Sequence, residues 1–215
     1  MEVAPGTIVV FSDIGCPWAH VAVWRLHDAR RRLGLEERVA FDHRVFPLEL
    51  FNSEPTPRDE LEVEWQAWSA PTWAWPATML PPMEAVQAAK EQGLAASEQL
   101  DRGLRRAFWG ESRCISLRHV ILEVAAECDG LDLEALADAF DAGRARSALF
   151  AQYEVARSDA VDGSPHLFLA DGTAVQNPGI EATWEQGSDG FWRPTIVHDD
   201  PAAYERLVTA AAAGA

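Results

Sequence analysis

Lysine is almost missing from this chain. Lys90 is the only one, and the 18 basic residues are otherwise arginines set against 34 acids. The net charge of −16 and the pI near 4.7 argue against nucleic acid or anionic lipid as a partner. We read the arginine-for-lysine bias as compositional, without mechanistic content. Long apolar runs are missing as well, and none approaches the roughly 20 residues of a membrane span. Cysteine is scarce: Cys16, Cys114 and Cys128 lie too far apart in sequence to suggest a disulfide framework or a zinc cluster, so no metal site is expected. The opening Met1–Gly6 has neither the basic start nor the apolar stretch of a signal peptide, so the cytoplasm is the expected compartment. What the chain does have is core-forming material. Of 215 residues, 48% are hydrophobic and nine are tryptophan, enough for one large domain or a domain with an insertion.

One stretch organises the rest: Phe11-Ser12-Asp13-Ile14-Gly15-Cys16-Pro17-Trp18-Ala19-His20. Thr7 to Phe11 is β-branched and ends in turn residues, which predicts a buried strand. From Val21 toward Leu33 the apolar residues recur at helical spacing, and Gly34 is a stop signal. Cys16 therefore falls where a strand turns into a helix, with Pro17 as the first helical residue. Free amides and the positive end of the helix dipole favour an anion at that point, and a thiolate is one. A cysteine so placed is expected to titrate below its free value of about 8.5. His20 lies one helical turn beyond Cys16 and is a candidate to stabilise the thiolate or to shuttle its proton, although it could equally pack or face solvent. Asp13 reads as a cap of the turn, with proton transfer as the rival role.

Val39 to Phe46 reads as a second strand, so the first helix bridges a parallel pair, the mark of a βαβ unit. From Arg58 the pattern is helical for roughly a hundred residues. Helices are expected over Glu60–Trp68, Met83–Glu91, Ala96–Trp109, Leu117–Cys128, Leu133–Ala142 and Ala145–Ser158, with Ser116 and Asp132 as N-caps. Asp59 to Glu64 reads as a solvated acidic face. Trp65, Trp68, Trp73 and Trp75 either pack the helical block onto the strands or line an apolar groove over Cys16. Strand character returns over Val161 to Leu169, followed by the hairpin signal Asp171-Gly172 and Thr173 to Gln176. Ile180 to Asp199 looks irregular, and Asp200 caps a last helix over Pro201–Ala213. The bounds are thus 1–56 and 159–215 for the strand-bearing domain, and 57–158 for an inserted helical subdomain.

A βαβ half and a ββα half separated by helices form the plan of an α/β thioredoxin-like fold with an inserted all-helical subdomain. Three motifs make the likeness specific: Cys16-Pro17-Trp18, Arg105-Arg106-Ala107-Phe108-Trp109-Gly110-Glu111, and Val161-Asp162-Gly163-Ser164-Pro165. With them the chain resembles the DsbA-like thioredoxin-fold proteins of the FrnE type, a group bordering the 2-hydroxychromene-2-carboxylate isomerases and kappa-class glutathione transferases. The resemblance implies a thiol–disulfide oxidoreductase or isomerase with Cys16 as nucleophile. It also implies that Pro17, Trp18, Ser164 and Pro165 meet the substrate, Pro165 being the cis-proline opposite the cysteine. An extended substrate could then pair with the Ser164 backbone as an added strand.

The chain departs from that family at Ala19, where the dithiol enzymes carry a second cysteine. That second thiol normally resolves the mixed disulfide formed by the first. Without it, release must come from outside, from glutathione, an analogue or a substrate thiol. Cys114 and Cys128 are the internal alternatives, but both read more simply as small buried hydrophobes. No tightly bound cofactor is expected. The partner is a thiol- or disulfide-bearing protein or small molecule, and a homodimer is compatible with this reading. Two rivals stand beside it: a small-thiol-dependent isomerase or transferase acting on an aromatic compound, and a binding module without catalysis.

Overall fold

The computed structural model describes residues 1–52, 78–188 and 192–214. A four-stranded sheet has the order β2-β1-β3-β4. β1 (Thr7–Ser12) runs parallel to β2 (Ala40–Val45), from Thr7 opposite Ala40 to Ser12 opposite Val45. β3 (His166–Leu169) pairs antiparallel with β1, and β4 (Ala174–Gln176) antiparallel with β3. β1 is central and buried on both faces, which is why its sequence is a continuous apolar run. β2 alternates half-buried and buried residues, the origin of its looser pattern.

Helices cover both faces. α1 (Pro17–Arg32) and α8 (Ala202–Ala213) place Leu26, Tyr204 and Val208 against Ile8, Val10, Phe41 and Leu167. Val9, Phe11 and Phe168 face the other way, toward Phe46, Val161 and Ala156. Between β2 and β3 the described elements are helices: α2 (Leu48–Asn52), α3 (Leu80–Ala89), α4 (Leu94–Arg105), α5 (Arg118–Ala126), α6 (Leu133–Asp141) and α7 (Arg146–Ala156). A 3₁₀ turn over Lys90–Gln92 follows α3, and a π-helical turn over Arg106–Gly110 follows α4. The helices share a core of Val86, Leu100, Leu104, Ile121 and Leu136, into which Ile14 and Val45 also project. The helical region is thereby packed onto β2 and onto the turn that leads to Cys16. Among the described residues, no helix is long and apolar enough to cross a membrane.

Some expectations need correction. Ile180–Asp199 is not irregular: β5 (Ile180–Gln186) and β6 (Trp192–Asp199) form an antiparallel ribbon with its own register. Its residues are mostly exposed, so no buried alternation marks them, and Pro194 within β6 argued against a strand. Ser116 does not cap α5. Its hydroxyl donates to the Thr78 carbonyl at 2.7 Å, and the helix starts after Leu117 without a side-chain cap. Asp132 caps α6 by accepting from the Ala135 amide at 3.0 Å. The tryptophan cluster at 65–75, the acidic run 59–64 and the helix expected over 60–68 lie outside the described residues.

Candidate active site

β1 ends at Ser12 and α1 begins at Pro17, so the four residues between them form a turn at the edge of the strand layer. Cys16 is the helix N-cap, with φ −82° and ψ 120°, and no side chain caps the helix. Its thiol donates to the Ser164 carbonyl at 3.1 Å, and the Ser164–Pro165 peptide is cis. The Ser164 hydroxyl accepts from the Asp13 amide at 2.9 Å. Two segments separated by about 150 residues are thus joined twice at the sulfur. Cys16 is not open to solvent: it is 2% exposed. Pro17 beside it is exposed, and Trp18 is half-buried with its ring edge-on to Trp184 of the ribbon at 6.4 Å. The ribbon is also fixed to α1 by Arg25, which holds Asp199 through two hydrogen bonds of 2.6 and 2.8 Å.

Asp13 acts as a cap, twice over. Oδ1 accepts from the Gly15 amide at 2.7 Å and Oδ2 from the Leu48 amide at 2.8 Å, which closes the turn and fixes the start of α2. Burial nevertheless pushes its pKa up, outweighing those two amides and the nearby Arg105 guanidinium. Glu49 repeats the device one helix on, accepting from the amides of Met79 and Leu80 at the start of α3. Met79 in turn lies against Gly15, where a Cβ would meet its Cγ and Cε at 3.3 Å. A side chain there would press on the turn, which is the local reason for glycine.

His20 stacks on Trp109, with ring centroids 5.6 Å apart and planes at 30°. Its Nδ1 is buried without a hydrogen-bond partner. Burial lowers its pKa, Arg105 lowers it further, and Asp101 opposes them, so the ring is neutral near pH 7. A neutral ring fits a proton shuttle better than an imidazolium holding a thiolate. His20 opens on a cavity of about 460 Å³ between α1 and α4, walled by Trp24, Arg102, Trp109 and Cys128 among others. Cys128 is half-buried on that wall, with its pKa raised chiefly by burial, and Cys114 is exposed; neither is the buried hydrophobe that the sequence suggested. The reason is local. α5 stops at Ala126 before reaching Cys128, and in the link before α5 it is Ile115 that enters the core, at 1% exposure.

Sequence reasoning passed over two residues. Arg105 donates through Nη1 to the Asp13 carbonyl at 3.0 Å and through Nη2 to the Ser12 hydroxyl at 2.8 Å. Trp109 donates through Nε1 to the Ile14 carbonyl at 2.9 Å. Both lie in the motif that marked the family likeness, which carried the signal without a role. Behind Arg105 is Asp101, paired to its Nε at 2.8 Å, with His43 Nδ1 3.6 Å from the carboxylate.

Histidines partly or wholly withdrawn from water make stability depend on pH. The ring of His27 packs edge-on to Phe41, its Nε2 lacks a partner, and its pKa is lowered to about 3, first by burial and then by His43 and Arg30. The unfolded chain binds that proton near pH 6.5 and the native chain only near 3, so acidification across this window favours unfolding. At pH 4.5 the expected cost is about 2–3 kcal/mol from His27 alone. His43 and His20, both lowered, act in the same direction, and Asp13, raised, opposes them just above its unfolded value. Urea unfolding at pH 7 and 4.5 checks this. His27→Leu should lose markedly less stability between the two than the unmodified protein, and equal losses would refute the assignment.

A search among curated proteins returns no match. Among solved structures the chain is similar to a protein described as a probable DsbA oxidoreductase from Streptomyces coelicolor, at 17% identity and a TM-score of 0.59, covering 95% of this chain and 89% of that one. It is also similar to the cytosolic disulfide reductase DsbM from Pseudomonas aeruginosa, at 23% identity and a TM-score of 0.50, covering 96% and 95%. A third likeness is the DsbA disulfide interchange protein from Klebsiella pneumoniae, at 12% identity and a TM-score of 0.52, covering 99% and 94%. Identities this low speak for the fold alone. The family model for the DSBA-like thioredoxin domain matches residues 7–185, from the first residue of β1 into β5, and the chain belongs to that family.

Proposed function

We propose that this protein is a cytoplasmic thiol–disulfide oxidoreductase or isomerase that works through Cys16 alone, with an external small thiol such as glutathione or an analogue completing the cycle. The observation that carries this is the 3.1 Å contact of the Cys16 thiol with the Ser164 carbonyl at the N-terminus of α1. The Cys16 thiolate attacks one sulfur of a substrate disulfide, forming a mixed disulfide and expelling the other sulfur as a thiolate. The second, external thiolate then attacks the mixed disulfide, leaving with the substrate sulfur and restoring Cys16. Ala19, fully buried, offers no internal sulfur for that step. DsbM from Pseudomonas aeruginosa was solved with GSH, which supports a tripeptide thiol as the co-reactant to try first. Pro17, Trp18, Ser164 and Pro165 form the substrate-facing surface in this reading, and His20 moves a proton as a neutral base.

The test is turnover of a small disulfide with and without added glutathione, followed by mass spectrometry of the protein trapped in mid-reaction. The expected result is turnover only with thiol and, on the peptide bearing Cys16, a mixed disulfide with the substrate sulfur. An unmodified Cys16 and no turnover would leave a binding module. The cavity walled by Trp24, Trp109 and His20 favours one other reading, a small-thiol-dependent isomerase or transferase acting on an aromatic compound. Saturable binding of such a compound without disulfide turnover would select it.

A further inference from the structure

The helical region does more than pack against the cysteine turn. Arg105 is the last residue of α4, and Trp109 lies in the π-helical turn that follows. Such turns are rare and often occur at functional sites. From this one place two side chains reach three successive residues ahead of the cysteine: the Ser12 hydroxyl, the Asp13 carbonyl and the Ile14 carbonyl. The Asp13 carbonyl also accepts the amide of Cys16 at 3.3 Å, so Arg105 fixes the atom from which the cysteine backbone hangs. On the far side, the Cys16 carbonyl accepts the amide of His20 at 2.9 Å, and the His20 ring rests on Trp109. Cys16 is therefore one link away from this pair in both chain directions. Asp13 and Ile14 are 2% and 1% exposed, so water is not at hand to replace the lost donors.

We propose that Arg105 and Trp109 are positioning residues, through which the helical region sets the orientation of the Cys16 thiol toward its substrate. This rests on the reading of Cys16 as the nucleophile, and it deepens that reading by placing part of the site's geometry in the family motif 105–111. The two side chains divide the work. Arg105 is buried, at 2% exposure, and holds the turn from behind with a charge already balanced by Asp101. Trp109 is 38% exposed and holds it from the side that faces the cavity.

Trp109→Phe is the decisive variant, because the ring against His20 is largely kept while the Nε1 donor is lost. kcat/KM for a small disulfide should fall about tenfold or more, with the KM for glutathione unchanged, as expected for a misaligned nucleophile rather than weakened thiol binding. A second readout does not need turnover. In the same sample, alkylation of Cys16 by iodoacetamide should rise at least fivefold relative to Cys128, which reports general loosening of the helical region. Arg105→Lys should fall between the unmodified protein and Trp109→Phe. A Cys16 to Cys128 ratio within twofold of the unmodified protein would overturn the proposal. If the unmodified protein turns over no disulfide, the assignment of activity fails while the alkylation ratio still decides the positioning role.

Discussion

Replacing Cys16 with serine is expected to abolish thiol-dependent disulfide turnover, a loss on the order of 10³ or more, because a serine hydroxyl is not a usable nucleophile toward sulfur at neutral pH. The substitution is nearly isosteric, and the hydroxyl can still donate to the Ser164 carbonyl that now accepts the thiol. Stability should therefore change little, and the effect reads on chemistry. The control is internal to the chain. Cys114 is exposed and Cys128 half-buried, so either could produce background thiol reactivity in an assay with added thiol. Serine at position 114, which is exposed, should leave turnover within about twofold, as surface changes usually do. Turnover that survives Cys16→Ser and disappears with Cys114→Ser would move the chemistry out of the helix N-terminus altogether. The burial of Cys16 sharpens this. A cysteine that is 2% exposed must be uncovered before a disulfide can reach it, so a protein substrate that competes for the Trp18 and Trp184 surface should react at a different rate from a small one.

The parts of the fold that could be read in advance are those in which local pattern and burial agree. β1 is buried on both faces and its run of Ile8, Val9, Val10 and Phe11 says so; α1 starts at Pro17 and ends at Arg32, with Leu33 as its C-cap just before Gly34, as the helix signals required. Asp132 could be read as a cap because its oxygen and the Ala135 amide lie within one turn of chain. The ribbon of β5 and β6 could not, because Trp184, Ile196 and Val197 are more than half exposed and burial imposes no alternation on them. The same limit applied at the site. The juxtaposition of Cys16 with Ser164 and Pro165 was legible through their motifs, whereas the bonds from Arg105 and Trp109 to Asp13 and Ile14 in the turn span more than ninety residues of chain and leave no local trace. Cys114 failed for a simpler reason: the general tendency of cysteine to be buried says nothing about which residue of a short link turns inward.

Asp101→Asn is expected to destabilise the protein by about 3–5 kcal/mol, the usual cost of stranding one member of a buried ion pair. Asp101 and Arg105 are each 2% exposed, and the carboxylate is held through Arg105 Nε at 2.8 Å and Nη2 at 3.2 Å. Asparagine keeps the shape and removes the charge, leaving the guanidinium without a buried counter-ion. Chemical unfolding at pH 7 measures the loss. The companion variant separates stability from alignment. With Asp101→Leu and Arg105→Met together, no charge is left uncompensated, and replacement of a buried pair by apolar side chains is often close to neutral. That double variant should recover most of the stability lost in Asp101→Asn. Its turnover should nonetheless fall well below that of the unmodified protein, because the Ser12 hydroxyl and the Asp13 carbonyl then lack the donors that Arg105 supplies. Recovery of both together would reduce Arg105 to a packing residue and leave the orientation of Cys16 to Trp109 and Ser164 alone.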